Sequence, residues 1–107
     1  MRPQLQTKFA ARTGRYQGSV MVDICDLELI GTKLEQDGLV INLTPEYYQQ
    51  EVIEPSYAKE MLLRSDIANL VGERIVRQAL DMKLAKEASI RKISGVSFLM
   101  IYKFQHR

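Results

Sequence analysis

This chain of 107 residues is poor in cysteine, histidine and long hydrophobic runs. It contains one cysteine, Cys25, one histidine, His106, and no tryptophan. A single cysteine excludes an internal disulfide, and one cysteine with one histidine cannot supply the four ligands of a structural zinc site. No apolar run approaches the roughly 20 residues of a membrane helix. No signal-peptide pattern follows the basic first segment, so we expect a soluble, cytoplasmic protein.

The chain also lacks the usual loops and clusters of a small enzyme. Gly31, Gly38, Gly72 and Gly95 stand apart from one another, whereas a phosphate-binding loop needs several glycines close together. The acidic residues do not cluster at the spacing of metal ligands. We therefore predict that the protein is not an enzyme and needs no metal or cofactor.

Cys25 is the one candidate nucleophile, since a thiolate requires only a neighbouring base or cation. His106 lies in the terminal dipeptide, where it is poorly placed to act as that base. Asp26 next to Cys25 raises the pKa of the thiol, which works against reactivity. We predict that Cys25 is a small strand residue.

What the chain does have is charge sorted into blocks. Residues 1–17 contain four basic residues and no acidic one, and residues 88–107 repeat that pattern. Residues 18–87 contain the other seven basic residues and all thirteen acidic residues. The net charge of +2 hides this segregation. Two acid-free basic ends favour a partner rich in phosphate, such as a nucleic acid.

The sequence divides into a basic segment, residues 1–17, and one domain, residues 18–107. The large apolar residues of the first segment are Leu5, Phe9 and Tyr16. Three large apolar residues bury too little surface to offset the conformational entropy lost on folding. We expect this segment to be a flexible tail.

The pattern of the domain predicts an α+β fold. Alternating apolar residues over 20–25 indicate a strand, and extended runs follow over 27–34 and 39–43. Proline at a first helical position indicates helices beginning at Pro45 and Pro55, the second ending near Arg64.

The longest helix is predicted from Ser65 or Asp66 to about Lys86, with the small interior Gly72 facing the sheet. Residues 90–93 and 96–104 predict a closing hairpin. Together these elements predict a mainly antiparallel sheet of about five strands with two or three helices on one face.

Four segments of the chain resemble an archaeal family catalogued as domain of unknown function 424. Residues 25–31, Cys-Asp-Leu-Glu-Leu-Ile-Gly, resemble its signature Cys-Asp-x-Glu-Leu-x-Gly. Residues 67–74 are similar to its most distinctive helix, Tyr47-Tyr48 to its aromatic pair, and residues 93–96 to its closing turn. The resemblance covers roughly residues 17–102. It implies an archaeal α+β domain and no established activity.

The chain departs from this family pattern after the closing turn. The family continues with Pro-His-Ala, and this chain has Ser97, Phe98 and Leu99 in those places. A site built on that histidine is therefore absent.

The leading functional hypothesis is a non-enzymatic archaeal RNA-associated protein, a component of the ribosome or associated with it. Its basic termini would neutralise rRNA phosphates, its aromatic residues would stack on unpaired bases, and neighbouring ribosomal proteins would meet the acidic middle. The predicted RNA-binding residues are Arg2, Lys8, Phe9, Arg12, Arg15, Tyr16, Arg91, Lys92, Lys103, His106 and Arg107.

Two alternatives come from other functional classes. The first is a small enzyme or ligand-binding domain, in which Glu73 forms part of a site instead of an ion pair with Arg77. Its predicted face, built on the family motifs, comprises Cys25, Asp26, Glu28, Gly31, Asn69, Gly72 and Glu73. The second is a protein-binding adaptor that presents Leu70, Leu80 and Leu84 of the long helix to its partner.

Overall fold

A computed structural model describes residues 8–103 as one six-stranded sheet, one two-stranded sheet and three α-helices. In chain order the elements are β1 Phe9–Tyr16, β2 Ser19–Asp26, β3 Lys33–Gln36, β4 Leu39–Asn42, α1 Pro45–Tyr48, β5 Glu51–Ile53, α2 Pro55–Arg64, β6 Ile67–Val71, α3 Glu73–Asp81, β7 Arg91–Ile93 and β8 Val96–Tyr102.

The large sheet has the strand order β5-β1-β2-β6-β8-β7. Every neighbouring pair in it is antiparallel except β2 and β6, which run parallel at its centre. The second sheet is the hairpin β3–β4. The predicted α+β class is confirmed. The large sheet is mainly antiparallel, as predicted, but it has six strands instead of about five, and its parallel β2–β6 pair makes it mixed. The described residues also form a second sheet of two strands.

The predicted tail is wrong where the structure describes it, because β1 belongs to the large sheet. Phe9, Ala10 and Ala11 are buried, and β1 pairs with both β2 and β5. A tight turn at Gln17 and Gly18, with φ of 52° and 84°, joins β1 to β2 and suits a hairpin. Small alanines pack closely enough that few large apolar residues are needed. Residues 1–7 of the predicted tail lie outside the described residues.

The predicted long helix is also wrong over its first turns, where the chain forms the strand β6. Ala68 and Leu70 are buried against the helices, and Asn69 between them faces the opposite side. Buried residues in this segment therefore recur every second residue, as in a strand, and not every 3.6 residues, as in a helix. Gly72 has a φ of 118°, which separates β6 from α3. The helix α3 ends at Asp81.

Other predicted elements are confirmed. The helix α2 spans Pro55–Arg64, and the closing hairpin pairs β7 with β8. Thr44 caps α1 by accepting a hydrogen bond from the Tyr47 amide at 3.3 Å. The run over residues 27–34 is not one strand, because residues Leu27–Leu29 form a 3-10 turn and β3 begins at Lys33.

The two faces of the large sheet are covered unequally. On one face α2 and α3 cover a core that includes Phe9, Ile24, Leu62, Leu70 and Ile75. On the other face the β3–β4 hairpin and α1 cover one end only, where Cys25, Leu34, Leu43 and Val71 are buried. We call the uncovered part of this second face the open face. None of the helices within residues 8–103 is long and apolar enough to cross a membrane.

Candidate functional site

The motif that begins at the end of β2 connects this strand to α3. The Asp26 carboxylate accepts hydrogen bonds from the Arg74 and Ile75 amides, both at 2.9 Å, and so caps the N-terminus of α3. A Cβ on Gly72 would lie 2.3 Å from the Asp26 Cγ, so only glycine allows this approach. Burial raises the pKa of Asp26, and the two amides and Arg74 oppose that rise. Asp26 and Gly72 therefore join β2 to α3.

Glu28 completes this joint by binding Arg74. The Glu28 carboxylate accepts two hydrogen bonds from the guanidinium, at 2.6 and 3.0 Å, which lowers the pKa of Glu28. Arg74 also donates to the Lys8 carbonyl at 2.9 Å and lies 4.8 Å from the centre of the Phe9 ring. A carboxylate engaged in this way is not free for acid–base chemistry. We refer to Asp26, Glu28, Gly72 and Arg74 as the β2–α3 joint.

Cys25 is fully buried within the domain. Burial, with the negative charges of Asp26 and Glu28, raises the pKa of the thiol to about 12. The thiolate form is therefore negligible near neutral pH. The prediction of a small strand residue is confirmed.

A groove of about 540 Å³ lies on the open face, beside the β3–β4 hairpin. Its floor crosses three strands, because Asp23 pairs with Asn69 and Asn69 with Met100 on neighbouring strands. Arg12 pairs with Asp23 on the next strand, beside this floor. Other residues that line it are Leu39, Tyr47, Tyr48, Val71, Arg91 and Phe98.

Asp23 and Asn69 form the polar centre of the groove. The Asn69 Nδ2 donates a hydrogen bond to the Asp23 Oδ1 at 3.0 Å. Asp23 is only 4% exposed, and its burial raises the pKa of the carboxyl, which Asn69 and the charge of Arg12 oppose. The Asn69 Oδ1 is buried and finds no hydrogen-bond partner among residues 8–103.

Two tyrosines of α1 form the wall of the groove. The Arg12 guanidinium lies 4.6 Å from the centre of the Tyr47 ring, a cation–π contact. The Tyr47 and Tyr48 rings meet edge to face with centres 4.7 Å apart. Burial raises the pKa of Tyr48 to about 12, so its hydroxyl stays protonated. The groove thus combines a cation, an aromatic wall and a polar floor.

Residues 14–104 of the chain match a family model described as a protein of unknown function, DUF424. The chain belongs to the DUF424 family. None of the curated proteins matches it. An uncharacterized conserved protein from Methanopyrus kandleri is similar in fold, with a TM-score of 0.79 and 22% identity over 94% of this chain and 95% of that one. At that identity the likeness shows a shared fold alone.

The DUF424 motif residues divide between the two faces of the large sheet. Asp26, Glu28 and Glu73 line one cavity of about 190 Å³, whereas Cys25 and Asn69 lie on the opposite face. Asp26, Glu28 and Gly72 belong to the joint, and the Gly31 amide donates to the Leu43 carbonyl at 2.6 Å. Glu73 is exposed on α3, where it lies 3.6 Å from Arg77 as an ordinary i, i+4 ion pair. Asn69 lies across the sheet in the groove. The structure therefore brings together Asp26, Glu28 and Glu73 of the predicted motif face and places Cys25, Gly31 and Asn69 outside their cavity.

The predicted RNA-binding residues are also separated in this DUF424 domain. Phe9 is buried in the core and cannot stack on bases. Lys8 lies 3.6 Å from Glu54, and Lys103 Nζ donates to the Leu62 and Leu63 carbonyls at the end of α2. Arg91 lines the groove, and Arg12 is stacked on Tyr47 of its wall, with three strands between the strands that carry the two arginines. Arg15 and Lys92 are exposed elsewhere, and Arg2, His106 and Arg107 lie outside the described residues.

The leucines proposed for an adaptor face do not share a free surface either. Leu70 belongs to β6 and is 1% exposed. Leu80 and Leu84 pack partly against the core beneath α3.

Sequence reasoning missed Asp23. Its signal was an acidic residue in the middle of an otherwise apolar strand. Such a residue is costly to bury without a partner. Asn69 gives the same signal in β6, and the parallel pairing of β2 with β6 brings the two side chains together.

Proposed function

We propose that this DUF424 protein is a non-enzymatic RNA-binding protein, with ribosomal RNA as the expected target, and that it binds unpaired RNA on the open face of the large sheet. The observation that carries the proposal is a groove lined by Arg91, Tyr47 and Tyr48, with the Arg12 guanidinium stacked on the Tyr47 ring. Arginines that contact phosphates and aromatic rings that stack on bases are the common features of single-strand RNA sites.

The aromatic part of the proposal rests on exposed rings that share this side of the sheet. Tyr47 is 44% exposed at the groove. Tyr16 is 58% exposed, and strand alternation places it on the same side of β1 as Arg12. Met100 on the groove floor is 53% exposed and adds apolar surface. A flat sheet with exposed rings gives unpaired bases a surface on which to stack.

The electrostatic part of the proposal rests on Arg12 and Arg91. Neither Arg12 nor Arg91 forms a salt bridge with another residue in the range 8–103. On the helix side, by contrast, Arg64 and Arg77 are each 3.6 Å from a glutamate one turn away. Arg12 and Arg91 therefore leave two guanidinium groups available to phosphate on the open face.

Fluorescence anisotropy with a labelled single-stranded RNA tests the proposal. The double variant Arg12→Ala/Arg91→Ala should weaken binding and reduce the slope of log K against log salt by roughly 0.7 per arginine. The matched control is Arg64→Ala/Arg77→Ala, which removes the same charge from the helix side. Equal losses in both variants would show that only overall charge matters, and no binding by the unaltered protein would refute the proposal.

The ribosomal target is tested separately by pelleting archaeal ribosomes with the full chain at low salt. We expect the protein in the pellet and the Arg12→Ala/Arg91→Ala variant in the supernatant. If the unaltered protein stays in the supernatant while it binds RNA in solution, the target is another RNA.

A further inference from the structure

The polar centre of the groove offers hydrogen-bond acceptors and few donors. The Asp23 carboxyl supplies two oxygens, of which Oδ1 accepts from Asn69. The Asn69 Oδ1 beside it has no partner within the described chain. A buried polar atom without a partner costs about 1–3 kcal/mol. An acceptor kept at that cost on the floor of a groove points to a ligand that brings N–H donors.

The four RNA bases differ in where their hydrogen-bond donors lie on the Watson–Crick edge. The Watson–Crick edge of guanine carries two adjacent donors, the N1–H and the 2-amino group. Adenine and cytosine present one amino group next to an acceptor, and uracil presents one N–H between two acceptors. Two adjacent acceptors on a protein therefore pair with both donors of guanine. With any other base, at least one acceptor of the protein would face an acceptor of the base.

We propose that Asp23 and Asn69 form a base-reading subsite that selects guanine in the bound RNA, an inference that rests on the proposed function. The ionised Asp23 carboxylate and the Asn69 Oδ1 accept hydrogen bonds from the N1–H and the 2-amino group. Arg12 and Arg91 at the groove contact the phosphates and carry no base preference. The base enters beside Tyr47, whose ring contacts within residues 8–103 are Arg12 and Tyr48.

The charge around the subsite suits a neutral base better than a free anion at the same position. Arg12 is the nearby cation that acts on Asp23, and its guanidinium is already stacked on Tyr47. A phosphate placed at Asp23 would meet a carboxylate. The phosphates of the strand therefore lie toward the arginines, and a base occupies the floor.

The experiment compares short oligouridines that carry one central guanosine, inosine or adenosine, measured by fluorescence anisotropy with the full chain. Inosine differs from guanosine only by the missing 2-amino group. The unaltered protein should bind the guanosine oligomer about tenfold more tightly than either of the other two. Asp23→Asn and Asn69→Ala should each remove that difference. Arg77→Ala, outside the groove, should preserve it.

The possible outcomes separate the two proposals. Equal binding of all three oligomers by the unaltered protein overturns the guanine subsite and leaves RNA binding intact. Absence of binding to any oligomer overturns the proposed function and the subsite together. A guanosine preference that survives in both Asp23→Asn and Asn69→Ala places the base reader elsewhere. If Asp23→Asn does not fold, as judged by circular dichroism, Asn69→Ala decides alone.

Discussion

Asp23 and Asp26 lie on the same strand, are 4% and 2% exposed, and have opposite environments. Asp26 faces α3, where two backbone amides and Arg74 satisfy its carboxylate. Asp23 faces the groove, where Asn69 is its hydrogen-bond partner and leaves its own Oδ1 unpaired within the described residues. A buried polar group with all its partners in the chain maintains the fold, whereas one with partners missing is available to a ligand.

The same contrast extends to the two faces of the large sheet. On the face under α2 and α3, Arg64 and Arg77 are paired with glutamates and Arg74 belongs to the joint. The open face has exposed rings, and its two arginines form no salt bridge within residues 8–103. Substitutions on the two sides should therefore divide cleanly into effects on stability and effects on binding.

The largest expected effect is at Asp26. Asp26→Ala removes the charged acceptor of two amides and leaves both without a partner in a buried position, so we expect a loss of about 3 kcal/mol in the free energy of unfolding. Urea unfolding followed by circular dichroism measures it. Gly72→Ala should act in the same direction, because its Cβ would lie 2.3 Å from the Asp26 Cγ. A loss below about 1 kcal/mol in both variants would mean that the joint does not stabilise the fold.

Asp23→Asn should have a smaller effect of opposite sign. Removing a buried charge with incomplete partners should raise the free energy of unfolding by about 1 kcal/mol near neutral pH. Burial raises the pKa of Asp23 above its ordinary value in the folded state. The folded state therefore binds its proton more tightly than the unfolded state, and the contribution of Asp23 to stability increases as pH falls through the folded pKa.

Thermal melts of both proteins over acidic and neutral pH measure this difference. The gain from Asp23→Asn should shrink as pH falls, since protonation of Asp23 removes the same charge. A variant that is less stable than the unaltered protein at every pH would show that the carboxylate is needed for the fold, as Asp26 is. The comparison between the two aspartates would then fail.

The sequence predicted local elements well and long-range ones poorly. Pro45 and Pro55 mark the starts of their helices through backbone geometry, and both helices occur as predicted. The residues of β6 were assigned to a helix because small apolar residues at Ala68 and Val71 fit both periods. These residues form a strand because they pair with β2 and β8, which are distant from β6 in the sequence. The β1 strand was missed for the same reason.

The candidate site shows the same limit. Asn69 and Arg12 were identified by type and by the resemblance, but the groove exists only because β1, β2, β6 and β8 align them in one row. Asp26 and Glu28 were correctly recognised as parts of a motif and misassigned in role. A carboxylate in a motif does not reveal from sequence whether a backbone amide or a ligand will be its partner.

The smallest expected effect is at Glu73, which the motif-based alternative treats as functional. Glu73 is exposed and lies 3.6 Å from Arg77 within one helix, an arrangement worth roughly 0.5 kcal/mol or less. Glu73→Ala should therefore leave both the unfolding midpoint and the RNA affinity close to those of the unaltered protein. Glu73→Gln, which retains the side-chain shape, is the matched control. If Glu73→Ala abolishes RNA binding in a folded protein while Asp23→Asn does not change base preference, the functional face lies on α3 and not in the groove.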